Sequence, residues 1–166
     1  MISKTRDVYV DEAQLDARVF LRVLRGTTEG ALCGDCPFAT TMGMPNRPVV
    51  SIGPEDPAFI VIGEGPGFNE TRLGEPFVGA SGQVVNKILG KIGRARQEVM
   101  LTNATLCEPR GADEKTRQLA AAACKPRLLA ELAQFPGKPI LTLGAVAARD
   151  VIPKAVLDAI EPPDAP

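Results

Sequence analysis

Ala58-Phe59-Ile60-Val61-Ile62-Gly63-Glu64-Gly65-Pro66-Gly67 joins a short, unbroken apolar run to a glycine-rich turn. A run of this kind reads as a strand covered on both faces, because a half-solvated strand would alternate apolar and polar residues. Val99-Met100-Leu101-Thr102-Asn103 and the segment from Lys138 to Leu143 have the same character, and each follows a stretch with helical spacing. Between the first two strands, Ser81 is placed to cap a helix running to about Ile92. Val84, Val85, Ile88 and Leu89 would face inward and Gly93 would close it. Strands alternating with helices at this spacing predict βαβ units and hence an α/β fold, a three-layer α/β/α arrangement with a central parallel sheet. Such sheets bind ligands at the carboxyl ends of their strands. Here those ends are the loop from Gly63 to Gly67 and Asn103.

Upstream, Asp11 to Leu24 places Leu15, Val19, Leu21, Val23 and Leu24 among charges in a rough helical period, which predicts an N-terminal docking helix ended by Gly26. From Gly26 to Pro57 the chain is rich in Gly, Pro and Thr and reads as irregular backbone that needs a staple. The segment 161–166 is Pro-rich and acidic and reads as a disordered tail. Residues 1–160 are therefore expected to form a single domain, for which a chain of 166 residues with 45% hydrophobic content is adequate.

With 19 basic and 20 acidic residues and a net charge of -1, the chain lacks the bulk charge of a nucleic-acid binder. Any contact with phosphates must come from a local face, for which Lys87, Lys91, Arg94 and Arg96 are candidates. No apolar run is long enough to span a bilayer, and Met1-Ile2-Ser3-Lys4-Thr5-Arg6 has no signal-peptide core, so the expected location is cytoplasmic, without a membrane.

A reducing compartment makes the four cysteines metal ligands or buried thiols rather than disulfides. Cys33 and Cys36 form a CxxC pair, and Cys107 and Cys124 lie far downstream. Four thiolates suit tetrahedral zinc or an iron–sulfur cluster, and spacing by itself leans to zinc.

Three further stretches carry a family resemblance: Gly74-Glu75-Pro76-Phe77-Val78-Gly79-Ala80-Ser81-Gly82-Gln83, Leu101-Thr102-Asn103-Ala104-Thr105-Leu106-Cys107-Glu108-Pro109, and Ala123-Cys124-Lys125-Pro126. Together with Gly63-Glu64-Gly65-Pro66-Gly67 and Thr142-Leu143-Gly144-Ala145, they resemble the family 4 uracil-DNA glycosylases in order and spacing, from about Cys33 to about Ala148. The resemblance implies hydrolysis of the N-glycosidic bond of an extruded uracil, leaving an abasic site. It implies uracil-containing DNA as the partner of a monomer. It also implies that Cys33, Cys36, Cys107 and Cys124 hold a 4Fe-4S cluster, with structural zinc as the alternative.

Residue roles follow by the same resemblance. Phe77 would stack on the base, in a chain with six Phe, one Tyr and no Trp. Asn103 would read uracil, because its side chain offers an acceptor for N3–H and a donor for O4, the reverse of what cytosine presents. Glu64 would orient water or stabilise the cationic sugar, which makes Glu64 and Asn103 the catalytic pair. Gly63, Gly65, Pro66 and Gly67 would bring backbone close to the base, and Glu70 would sit beside its C5 edge. Family members carry a further His-Pro-Ser motif, whereas this sequence contains no histidine. That departure leaves two expectations beside an active enzyme: a partner chain that supplies the missing segment, or a truncated or impaired glycosylase fold that binds DNA or a protein partner.

Overall fold

The computed structural model describes residues 23–41, 44–45 and 47–152. Among these residues seven strands form: β1 (Val23–Arg25), β2 (Thr40–Thr41), β3 (Met44–Pro45), β4 (Ile52–Pro54), β5 (Ile60–Gly63), β6 (Met100–Asn103) and β7 (Ile140–Thr142). Four helices accompany them: α1 (Phe68–Leu73), α2 (Ala80–Lys91), α3 (Glu114–Leu132) and α4 (Ala145–Val151). The main sheet runs in the order β1-β4-β6-β5-β7, and β2 and β3 pair separately.

Strand β5 lies between β6 and β7 and runs parallel to both, in the register Gly63 opposite Asn103 and Ile62 opposite Thr142. Its residues and those of β6 are all buried, which accounts for their unbroken apolar sequence. Successive side chains point to opposite faces. Val61, Leu101 and Val99 meet Val85 and Leu89 of α2 on one face. On the other, Ile60, Ile62 and Met100 meet Leu128 of α3 and Ala147 of α4. Helices on both faces of one sheet give the three-layer α/β/α arrangement.

The sheet is mixed, which corrects the expectation of a parallel one. β4 runs antiparallel to β6, and β1 antiparallel to β4. Both added strands are only three residues long; β4 lies in the Gly- and Pro-rich stretch and β1 just before it, and neither is long enough to show a strand period. β4 pairs with the edge that β6 offers, and β1 with β4. The stretch read as irregular therefore holds β2, β3 and β4. Similarly, Val23 and Leu24, expected at the end of a helix, lie in β1; the rest of that expected helix and the tail 161–166 fall outside the described residues.

The helix expected from Ser81 is present as α2, but Gly79 caps it. The Gly79 amide donates to Glu70 Oε1 at 2.7 Å, which fixes the chain's entry two residues before Ser81. Gly82, Val85 and Leu89 form the buried stripe, whereas Val84 and Ile88 are 56% and 39% exposed. Gly82 lies against the Phe77 backbone, and a Cβ there would overlap the Phe77 carbonyl. This contact sets the rotation of α2 and turns Val84 and Ile88 outward. Gly93 does close the helix, at φ 69.

Candidate base-recognition and thiol sites

Strands β5 and β6 end side by side, and the Gly63-to-Asn103 register brings their last residues together. The Ala104 amide donates to the Gly63 carbonyl at 2.8 Å and the Thr105 amide to the Glu64 carbonyl at 2.9 Å, so the two chains stay joined beyond the strands. At this corner a Cβ on Gly63 would lie 2.5 Å from Asn103 Oδ1 and 2.8 Å from Phe77 Cζ. Thus the glycine leaves room for an amide and an aromatic ring to approach one point. Asn103 is 3% exposed and Phe77 6%.

Phe77 has two surroundings that its sequence context could not separate. Its ring belongs to the hydrophobic cluster with Val61, Val85, Leu89, Val99 and Leu101, while its tip reaches the Gly63–Asn103 corner. Its φ of 56 lies in the left-handed region, which a bulky residue adopts only when its surroundings impose it. Arg96 helps impose it. One guanidinium nitrogen donates to the Pro76 carbonyl at 2.6 Å and the other to Asn86 Oδ1 at 3.2 Å. Arg96 thus serves the loop before Phe77, and Arg94 is paired with Glu98 at 2.9 Å. Of the expected basic stretch, Lys87 and Lys91 remain as exposed cations on α2.

Glu64 stands at the mouth of the corner, partly exposed, with Arg117 Nη1 3.2 Å from its Oε1. Arg117 also donates through Nε to the Ala112 carbonyl at 2.9 Å, which anchors it at the start of α3. Gly65 packs on Thr105, Pro66 is fully buried, and Gly67 caps α1. Glu70 is buried, and its carboxylate accepts from the backbone amides of Gly67 at 3.2 Å and Gly79 at 2.7 Å. It therefore braces the glycine loop against the Phe77 loop. Replacing it with Gln substitutes a donor for one of two engaged acceptors and should cost about 1–3 kcal/mol of stability. A denaturant titration of Glu70→Gln checks this, and an unchanged midpoint would show that the brace carries no stability.

The cysteines approach one another from three parts of the chain. Cys33 begins a 3-10 turn (Cys33–Asp35) with Cys36 just beyond it, Cys107 follows β6, and Cys124 lies on α3. The Leu32 amide donates to the Ala123 carbonyl at 2.9 Å and clamps the CxxC turn onto α3. Burial and then the charges of Cys124, Cys36 and Cys33 push the Cys107 thiol up to about 12. Burial also raises Cys124, partly offset by a backbone hydrogen bond at Leu106 and the charge of Arg127. All four sulfurs thus lie within electrostatic reach of one another. Among the described residues, however, no three His, Cys, Asp or Glu side chains are gathered closely enough to hold a single metal ion. As a donor set, four thiols suit an iron–sulfur cluster or tetrahedral zinc.

Residues 50–161 match the family model described as the uracil DNA glycosylase superfamily. The chain belongs to this superfamily. It is 33% identical over 90 residues to the Type-4 uracil-DNA glycosylase of Pyrobaculum aerophilum, covering 54% of this chain and 45% of that relative. Corresponding enzymes of Archaeoglobus fulgidus and Thermotoga maritima are 34% identical over 101 residues and 33% identical over 115. These matches cover 61% and 69% of this chain, and 50% and 58% of the two relatives. The chain spans about half the length of the curated relatives it matches. No helix among the described residues is long and apolar enough to cross a membrane.

Sequence reading missed Arg117 and a buried polar group made of Arg127, Glu131, Thr102 and Ser51. The signal for the latter was present: Ala120, Cys124, Arg127 and Glu131 share the helical spacing of a core-facing stripe. Charges on such a stripe mark buried partners.

Proposed function

We propose that the chain acts as a uracil-DNA glycosylase, hydrolysing the N-glycosidic bond of a uracil extruded from DNA and leaving an abasic site. The observation that carries this reading is the corner where the Asn103 side chain and the Phe77 ring tip close on the bare Cα of Gly63 at the carboxyl ends of two parallel strands. A duplex hides the base's reactive bond, so the base must leave the stack and be read by ring stacking and edge hydrogen bonds. Phe77 offers the ring. Asn103 offers an acceptor and a donor on one rigid amide, which suits N3–H and O4 of uracil.

Bond cleavage leaves negative charge on the base and positive charge on the sugar. Among these 166 residues, which include no histidine, the groups that would face the base's charge are Asn103 and the backbone amides of Glu64 and Gly65, since Pro66 has no N–H and the Gly67 amide is taken by Glu70. Glu64, paired with Arg117, would hold the attacking water or face the sugar cation.

Cys33, Cys36, Cys107 and Cys124 would hold a 4Fe-4S cluster, with structural zinc as the alternative. The group would supply coordinate bonds that tie the turn from Cys33 to Cys36, the loop after β6 and the helix α3 into one unit.

A strand-cleavage assay tests the activity. Single- and double-stranded oligonucleotides containing one uracil are incubated with anaerobically purified protein, then treated with alkali to cut abasic sites. Cleavage at uracil alone is expected. No cleavage by protein carrying a full cluster would overturn the enzymatic reading and leave a glycosylase fold that binds DNA or a protein partner.

A further inference from the structure

Arg127 is 3% exposed and lies on α3, one turn after Cys124. Its Nη2 donates to the Asn103 carbonyl at 2.7 Å and to the Ala104 carbonyl at 3.2 Å. Its Nη1 donates to Glu131 Oε2 at 2.8 Å and Thr102 Oγ1 at 3.2 Å. Glu131 in turn accepts from Thr102 at 3.0 Å and from Ser51. A guanidinium and a carboxylate are therefore buried between α3 and the sheet, and the cation is spent on the backbone at the end of β6.

A buried ion pair is a poor source of stability, because desolvation offsets its attraction and apolar replacements of similar volume are often neutral or stabilising. What the pair does supply is geometry. The planar fork of an Arg holds several acceptors at fixed angles, which the single point of a Lys ammonium does not. Beyond Asn103 the strand ladder has ended. The segment is held from one side by the bonds of the Ala104 and Thr105 amides to β5 and its loop. Arg127 holds it from the other, through the carbonyls. The Asn103 side chain points to the Phe77 face and is left clear of this scaffold.

We propose that Arg127 is a positioning residue for Asn103, and that it fastens the base-reading amide to α3, the helix that carries Cys124. The inference rests on the proposed function for its effect on catalysis, and on the fold alone for its effect on the backbone. Through it the thiol site and the base corner are registered on one rigid unit. Loss of the α3 anchor at Cys124 would then reach Asn103 without any direct contact between the two sites.

Two variants test it. Arg127→Lys keeps a buried cation but not the fork, while the paired change Arg127→Met with Glu131→Met removes both charges and retains volume, so that it can fold. Amide hydrogen exchange is followed in peptides spanning 101–107, alongside kcat and KM for uracil release. In both variants, faster exchange in that segment is expected. A fall in kcat of about 100-fold with KM little changed is expected too, as for sub-ångström to ångström misplacement of a reacting group. Adding Asn103→Ala to the paired variant should cost little more, because the two changes remove one function. Wild-type exchange and kcat within about twofold of wild type in the folded paired variant would overturn the proposal; so would full recovery of kcat by Arg127→Lys. If the unaltered protein releases no uracil, the proposed function fails, and the exchange measurement still decides whether Arg127 positions the β6 end.

Discussion

Changing Asn103 to Asp is expected to lower the rate of uracil release by about two to three orders of magnitude, the usual cost of losing one donor to developing negative charge. An ionised carboxylate only accepts hydrogen bonds. At this corner it would accept from N3–H but could not donate to O4, and it would set a negative charge against a base that becomes anionic. Asn103 is 3% exposed, so placing a carboxylate there also carries a desolvation cost, and some loss of thermal stability is expected. Asn103→Ala separates the two effects: it removes donor and acceptor without adding charge, and its rate should fall comparably at a temperature well below its melting transition. Single-turnover kinetics on a uracil-containing single strand provide the measurement. Wild-type release by Asn103→Ala would remove Asn103 from the site.

Cys107→Ala is expected to lose the brown colour of the cluster and most of the domain's thermal stability. A structural metal group contributes its binding free energy to folding, and the net stability of a domain this size is only about 5–15 kcal/mol. The effect should be large because the four cysteines would tie a turn with no buried residues to the buried end of β6 and to α3. None of the residues in the turn from Cys33 to Asp35 is buried, and its links to α3 are the Leu32-to-Ala123 hydrogen bond and the thiols themselves. Visible absorbance and a thermal melt of anaerobically prepared protein give the two readouts. A variant that remains brown and melts with the wild type would refute Cys107 as a ligand.

Different parts of the fold were legible to different degrees. Strands β5 and β6 were readable because burial on both faces leaves a short run that needs no knowledge of partners; β7 was readable from its apolar run too, although as an edge strand it leaves Ile140 and Leu141 43% and 38% exposed. The helix α2 was readable in extent but not in rotation: Val84 and Ile88 fit an apolar stripe as well as Val85 and Leu89 do. Only the contact of Gly82 with the Phe77 backbone selects between them. Strands β1 and β4 left no trace in the sequence, since three residues cannot show a period; β4 depends on the edge of β6, built from residues nearly fifty positions further along, and β1 depends on β4.

The candidate site divides in the same way. The sequence by itself determined which residues end β5 and β6, because Gly63 and Asn103 are adjacent to the runs that define the strands, and with them the corner proposed as the site. It also determined the four-thiol donor set. Only the tertiary structure decided that Glu70 spends its carboxylate on the Gly67 and Gly79 amides, that Arg117 stands beside Glu64, and that Arg127 holds the carbonyl of Asn103. The physical reason is range: periodicity and turn chemistry act over a few residues and are written locally, whereas the partner of a buried charge is chosen by whichever distant segment the closed core brings within hydrogen-bond distance.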